Sequence, residues 1–172
     1  MTDIIETIQR DILDPTVSLA TILLKAKVLA HQLKNERFKQ WVKYELDGYP
    51  NDMDDIPSYR IIETPLLAQI VGGRFTATDV PIGLANTPDW FREVASTIKF
   101  TQGIRAADEI AQEKHTVYFP WPADWIAIWE HACGSALGFQ QLIGVKRPVA
   151  PQIFAQMVQT VRSRLQDFVL EL

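Results

Sequence analysis

Residues Asn35–Arg60 read N-E-R-F-K-Q-W-V-K-Y-E-L-D-G-Y-P-N-D-M-D-D-I-P-S-Y-R, and this stretch decides the fold. Phe38, Trp41, Val42 and Leu46 recur at spacings of three, one and four, which places them on one helical face. Asn35 suits the N-cap, where its side chain accepts from an amide of the first turn. Gly48 suits the left-handed position that ends a helix. Pro50 and Pro57 hold the acidic loop between them in extended and turn geometry. A strand is expected from Tyr59-Arg60 onward, through Ile61-Ile62-Glu63-Thr64. A helix that hands over to a strand across an acidic loop points to an α+β protein.

Upstream, the pattern stays helical. Thr2 or Asp3 caps a first helix with Ile5, Ile8 and Ile12 on one side, and Asp14-Pro15 stops it. Ser18 caps a second, whose seam is Leu19, Ile22, Ala26, Leu29 and Leu33. Downstream, β-formers take over. Leu66–Val71, Gly72-Gly73 and Arg74–Val80 read as a hairpin. Pro88-Asp89 opens a helix through Trp90, Val94 and Ile98; Gly103 separates it from another over Ile104–Lys114. Strands are expected at His115–Phe119 and Phe139–Lys146. Between them a helix starting at Pro122 carries Trp121, Trp125 and Trp129 at intervals of four. The last helix begins near Ala150, with a heptad seam of Phe154, Val158, Val161, Leu165, Phe168 and Leu172.

Two segments carry a resemblance. D-I-L-D-P-T-V-S-L-A-T-I-L-L-K-A-K-V-L-A (Asp11–Ala30), followed by W-V-K-Y-E-L-D-G-Y and P-S-Y-R, resembles the AbiTii domain of bacterial abortive-infection proteins. The closing V-R-S-R-L-Q-D-F-V-L-E-L (Val161–Leu172) is similar to the same family. The likeness lies at both ends of the chain rather than in Ile61–Pro148. It implies phage defence as the setting, and its motifs are helix faces, caps and turns rather than catalytic signatures.

The expected architecture is a helical layer, made by the N-terminal helices and the long C-terminal helix, packed on a small, mostly antiparallel sheet. At 172 residues one domain over 1–172 is the default. Such a chain buries roughly 70% of its unfolded surface and needs no staple. Cys133 stands alone, which excludes an internal disulfide and suits a reducing compartment. No signal peptide and no membrane-length apolar run is visible, so the cytoplasm is expected. Because Leu172 falls on the seam without a cap, the expectation is an N-terminal module of a longer protein, with an effector domain or protein downstream.

A formal charge of −4 argues against broad binding to nucleic acid or an anionic membrane. One window opposes the sum. Lys25, Lys27, Lys34, Arg37, Lys39 and Lys43 face a single acid, Glu36. Solvated helix faces explain most such runs; a strip that docks nucleic acid or an acidic partner is the sharper alternative. No phosphate-binding loop, dinucleotide fingerprint or zinc-protease motif occurs. His131 and Cys133 lie two apart and cannot share a helical face. Asp52, Asp54 and Asp55 lack the glycine and distal glutamate of a calcium loop, so a solvated turn is the better reading. The tryptophans suit a packed face better than a stacking platform. No catalytic residue, cofactor or metal is expected.

Arg60 and Arg162 need a carboxylate partner if they are buried, with Glu45 or an acid of the loop available. The expected result is an ion pair tying the third helix, the strand and the last helix together. Candidate binding residues are Lys34, Arg37, Lys43, Tyr49, Tyr59, Arg60 and Arg162. The leading expectation is a non-catalytic interaction or oligomerisation module that couples sensing to an effector, binding a protein partner or itself. A toxic enzyme acting on nucleic acid or nucleotides, and a nucleic-acid binder using the Lys25–Lys43 strip, are the alternatives.

Overall fold

A computed structural model describes residues 2–172. The elements run α1 (Thr2–Leu13), α2 (Leu19–Leu33), α3 (Glu36–Asp47), β1 (Ile61–Glu63), β2 (Leu67–Gly72), β3 (Phe75–Pro81), α4 (Asp89–Ala95), β4 (Thr97–Lys99), α5 (Ile104–Ala111), β5 (Val117–Pro120), α6 (Ala123–Cys133), β6 (Gln141–Val149) and α7 (Pro151–Leu170). Single turns of 3₁₀-helix occupy Ser58–Arg60 and Gly134–Leu137. The class is α+β, with antiparallel sheets of two and four strands. The chain forms two compact units and passes between them more than once.

The first unit comprises Met1–Arg60, Phe100–Lys114 and Pro151–Leu172. It is the expected helical layer, from α1, α2, α3 and α7, with α5 added from the middle of the chain. The caps follow the sequence. Ser18 accepts from the Thr21 amide and Asn35 from the Phe38 amide. Buried Ile8, Ile12, Leu19, Ile22, Leu23, Ala26, Leu29, Phe38 and Val42 supply the apolar interior. Each such side chain is worth about 1.5–3 kcal/mol when fully removed from water.

Three sequence readings change in this unit. Tyr59 and Arg60 belong to the 3₁₀ turn rather than to a strand, and β1 starts one residue later. The bonds to Glu45 from half-buried Tyr59 and buried Arg60, described below, outweigh β-propensity. The stripe of α7 is Phe154, Met157, Val161, Leu165 and Val169, while Val158 and Phe168 are half-buried and Leu172 is exposed. Steps of three and then four, four and four follow a straight helix; a strict heptad demands supercoiling against a partner helix. The third change concerns Arg162 and is taken up with the site.

The second unit comprises Ile61–Lys99 and His115–Ala150. Its main sheet has the order β3-β2-β6-β5, and β1 pairs with β4. The hairpin β2–β3 closes Gly72 on Phe75, so its turn is Gly73-Arg74, one place beyond the expected glycine pair. The α4 helix ends at Ala95 and Ile98 lies in a strand, not on the helix. Ser96 and Thr97 hydroxyls bond the Arg92 and Glu93 carbonyls, giving the backbone an alternative to another helical turn.

The tryptophans are core, as their spacing implied. Trp121 and Trp129 are buried among Leu66, Ile70, Phe91, Leu142 and Val145, and Trp125 packs against them half-buried. The Trp121 indole donates to the Ala95 carbonyl at 3.0 Å, and that of Trp129 to the Gly83 carbonyl at 2.9 Å. Cys133 is a buried free thiol in the same cluster.

Candidate functional site: a buried carboxylate and a mixed-charge cleft

Glu45 lies on the inner face of α3 and has no exposed surface. Four side chains organise around it. The Arg60 guanidinium, equally buried, pairs with Oε2 through Nη2. The Tyr49 and Tyr59 hydroxyls both donate to Oε1, at 2.6 and 2.5 Å. The Trp41 indole donates to the Tyr59 oxygen at 3.1 Å. Nη1 of Arg60 donates to the Gln102 carbonyl at 2.6 Å, which ties the turn before β1 to the start of α5. The ion pair expected between α3 and Arg60 is therefore present, with Glu45 as the acid.

Electrostatics follow from this sealing. Burial, the Glu45 charge and the hydrogen bond to it push the Tyr59 phenol up to about 12. The same causes, burial first, raise Tyr49 further. Both hydroxyls therefore stay protonated and act as donors. Arg60 Nε is buried with no hydrogen-bond partner among the described residues, which adds to the desolvation cost. Such a buried pair fixes geometry more than it adds net stability, since desolvation offsets most of the attraction.

Close approach of backbone supports the cluster. Gly48 has φ +98° and its amide bonds the Tyr44 carbonyl, while the Tyr49 amide donates to the Thr101 carbonyl at 2.7 Å. A Cβ on Gly103 would stand 2.2 Å from the Leu46 carbonyl oxygen. Only glycine lets α5 start against the end of α3, and that contact carries Gln102 to Arg60.

Beside the cluster, α3 and α7 border a cleft of 630 Å³ lined by Asn35, Arg37, Phe38, Trp41, Arg164, Asp167, Phe168 and Glu171. Its floor is aromatic. Phe38 and Phe168 stack with centroids 3.7 Å apart, and Trp41 lies 6.1 Å from Phe38. Its rim carries two cations and two anions. Arg164 lies over the Tyr59 ring at 4.6 Å, so Trp41 and Arg164 both connect the cleft to the Glu45 cluster. Among the described residues, ion pairs form at seven places, and none includes Arg37, Arg164, Asp167 or Glu171.

The candidate binding residues thus divide. Tyr49, Tyr59 and Arg60 come together, but inside the protein around Glu45. Arg37 reaches the cleft rim. Lys34 is the left-handed C-cap of α2 and is exposed, as is Lys43. Arg37 and Lys43 are six residues apart on α3, some 240° around the helix at about 100° per residue. They project to different sides of that helix. Arg162 departs from expectation. Among the described residues it forms no ion pair; its Nη1 and Nη2 donate to the Ile12 and Val17 carbonyls, each at 2.9 Å, and so clamp the α1–α2 turn onto α7. Carbonyls left over at a helix end meet a guanidinium's need for acceptors as well as an acid does.

Sequence reasoning did not single out Asp167, Glu171 or Arg164 as rim residues, nor Phe168 as floor. Their i, i+3, i+4, i+7 spacing on α7 was the available signal. Arg147 was also missed. It is buried in β6, donates to the Thr97 carbonyl at 2.8 Å and lies 5.3 Å from the Trp125 ring. Burial lowers its pKa from the ordinary arginine value. A second cleft, of 720 Å³, is lined by Asn86, Thr87, Pro88, Ala127, Ile128, His131 and Ala132, with His131 as its one titratable side chain. No three of the described His, Cys, Asp and Glu side chains stand close enough to share a metal ion. No helix among the described residues is long and apolar enough to cross a membrane.

The first unit thus holds a buried carboxylate cluster and, beside it, an aromatic, mixed-charge cleft at the surface. Comparison with known families is specific: the AbiTii family model matches residues 3–172. The chain belongs to the AbiTii family, and membership supports a role in abortive-infection phage defence. Searches of curated proteins and of solved structures return no match.

Proposed function

We propose that this chain is a non-catalytic interaction module of an abortive-infection system, working in the cytoplasm and coupling the sensing of infection to an effector. The observation that carries this reading is the α3–α7 cleft: an aromatic floor beneath four charged side chains that form no ion pair among the described residues. Recognition surfaces combine aromatic anchors with a charged rim in this way. The groups best suited to acid–base chemistry, Glu45, Tyr49 and Tyr59, bond one another instead of facing a substrate-sized space.

The test has two arms. Bacteria expressing the protein with its native neighbours are challenged with phage, and the cleft variants Trp41→Ala and Asp167→Arg are compared with the parent. Loss of protection by variants that still melt cooperatively supports the reading. Purified protein is then incubated with RNA, DNA and nucleoside triphosphates. Turnover of any of them overturns the reading in favour of a toxic enzyme.

A further inference from the structure

The interaction reading leaves open what fills the cleft, and on that reading we propose that its occupant is the same cleft of a second copy of this chain, related by a two-fold axis. The first argument is local electrostatics. Arg37 sits in the first turn of α3, beside Glu36, where the helix dipole presents partial positive charge and disfavours a cation. Asp167 near the end of α7 and Glu171 just past it are like charges four residues apart, joined by the Glu171 amide to Asp167 carbonyl bond, and they also repel. Among the described residues, neither Arg37 nor the two acids forms an ion pair. Arg164, three residues before Asp167, lies over the Tyr59 ring instead.

The second argument is charge balance. The rim holds two arginines and two acids. A polyanion such as nucleic acid would bring phosphates against Asp167 and Glu171. A uniformly acidic or basic peptide would be repelled by half of the rim. A partner must carry both signs, close together and in matching positions, and the cleft itself meets that demand. A two-fold axis sets residue i against j and j against i. Arg37 of each copy then faces Asp167 and Glu171 of the other, so both conflicts are relieved twice. Trp41 and Phe168, each half-buried, supply the apolar centre that such interfaces place inside a charged rim.

Sedimentation velocity on the full chain tests this. The expected wild-type species is a dimer that weakens as sodium chloride is added, because the rim pairs are exposed. Arg37→Glu alone and Glu171→Arg alone raise the dissociation constant by about tenfold or more, the size of effect seen when paired interface charges are set against each other. Both side chains are exposed, so melting temperatures stay near the parent's and misfolding is not the cause. The decisive arm mixes R37E/R164E, whose rim is wholly acidic, with D167R/E171R, whose rim is wholly basic. Each is monomeric alone, and an equimolar mixture forms a dimer of one copy of each. A wild-type monomer at the highest soluble concentration overturns the proposal, as does a dimer indifferent to these reversals or a mixture that stays monomeric. If the wild type is monomeric while cleft variants still lose phage protection, the occupant is a different protein and the interaction reading survives without this inference. Nucleic acid retained by the wild type and released by Arg37→Glu also overturns it.

Discussion

Glu45 shows what a sealed carboxylate requires of its neighbours. Two phenols and one guanidinium meet it. Removing one partner strands the others, so the single changes Glu45→Met and Arg60→Met are each expected to cost about 3–5 kcal/mol. Replacing both with Met is expected to cost less than the sum, because no lone charge remains buried. Urea unfolding of the four proteins measures this directly; additive losses contradict a coupled pair. The same cluster sets a pH dependence. Tyr59 titrates near 12 in the folded protein, above its ordinary value of 10, and Tyr49 is raised in the same direction. Between these values the unfolded chain releases phenolic protons that the folded chain retains. Stability from the two phenols is therefore complete below pH 10 and drains away as pH climbs toward 12. Tyr49→Phe and Tyr59→Phe should each flatten that decline in a plot of urea midpoint against pH, and an unchanged slope in both rules out the cluster as its source.

At the scale of elements, junctions matter more than elements taken singly. The α3–α5 junction is the tightest: a Cβ on Gly103 would meet the Leu46 carbonyl oxygen, which is backbone and cannot swing aside. Gly103→Ala must push α5 from α3 and loosen the Gln102 carbonyl from Arg60, at a cost of about 1–3 kcal/mol for overpacking. Thermal melting reads the loss, and an alanine variant as stable as the parent shows that the helices have room. This junction also marks where the sequence stops being readable. Asn35, Ser18 and Gly48 announce their caps through local chemistry, and the seams of α2 and the tryptophan face follow from spacing. Gly103 reads locally as a break between helices, which it is, but the neighbour that requires glycine there is Leu46, fifty-seven positions earlier. Tyr59 and Arg60 read locally as strand, yet their conformation answers to Glu45, fourteen and fifteen positions earlier. The α7 rim shares a spacing with ordinary solvated faces, and only Phe38 and Trp41 on α3 make it one wall of a cleft.

Across the whole molecule, the first unit draws on three separated segments, and its last, α7, is made only after every residue of the second unit. Arg162 on α7 bonds the Ile12 carbonyl across 150 positions of sequence. Contacts this distant incur a large loop-closure cost before any reward, so the helical layer cannot be completed early. A chain ending at Ala150 tests the point. It lacks Phe154, Met157, Val161, Leu165 and Val169, all buried, each worth about 1.5–3 kcal/mol and together about 10. A loss of that size is comparable with the entire stability of about 5–15 kcal/mol typical of a folded domain. Hydrogen exchange should therefore find the α2 amides, central to the first unit, exchanging freely in the shortened chain. The β2 and β6 amides should keep their protection, because their ladder and the core around Trp121 and Trp129 lie wholly within residues 61–150. Undiminished protection of α2 would mean that α1, α3 and α5 suffice to bury its seam, and that α7 is an attachment to the layer rather than part of its core.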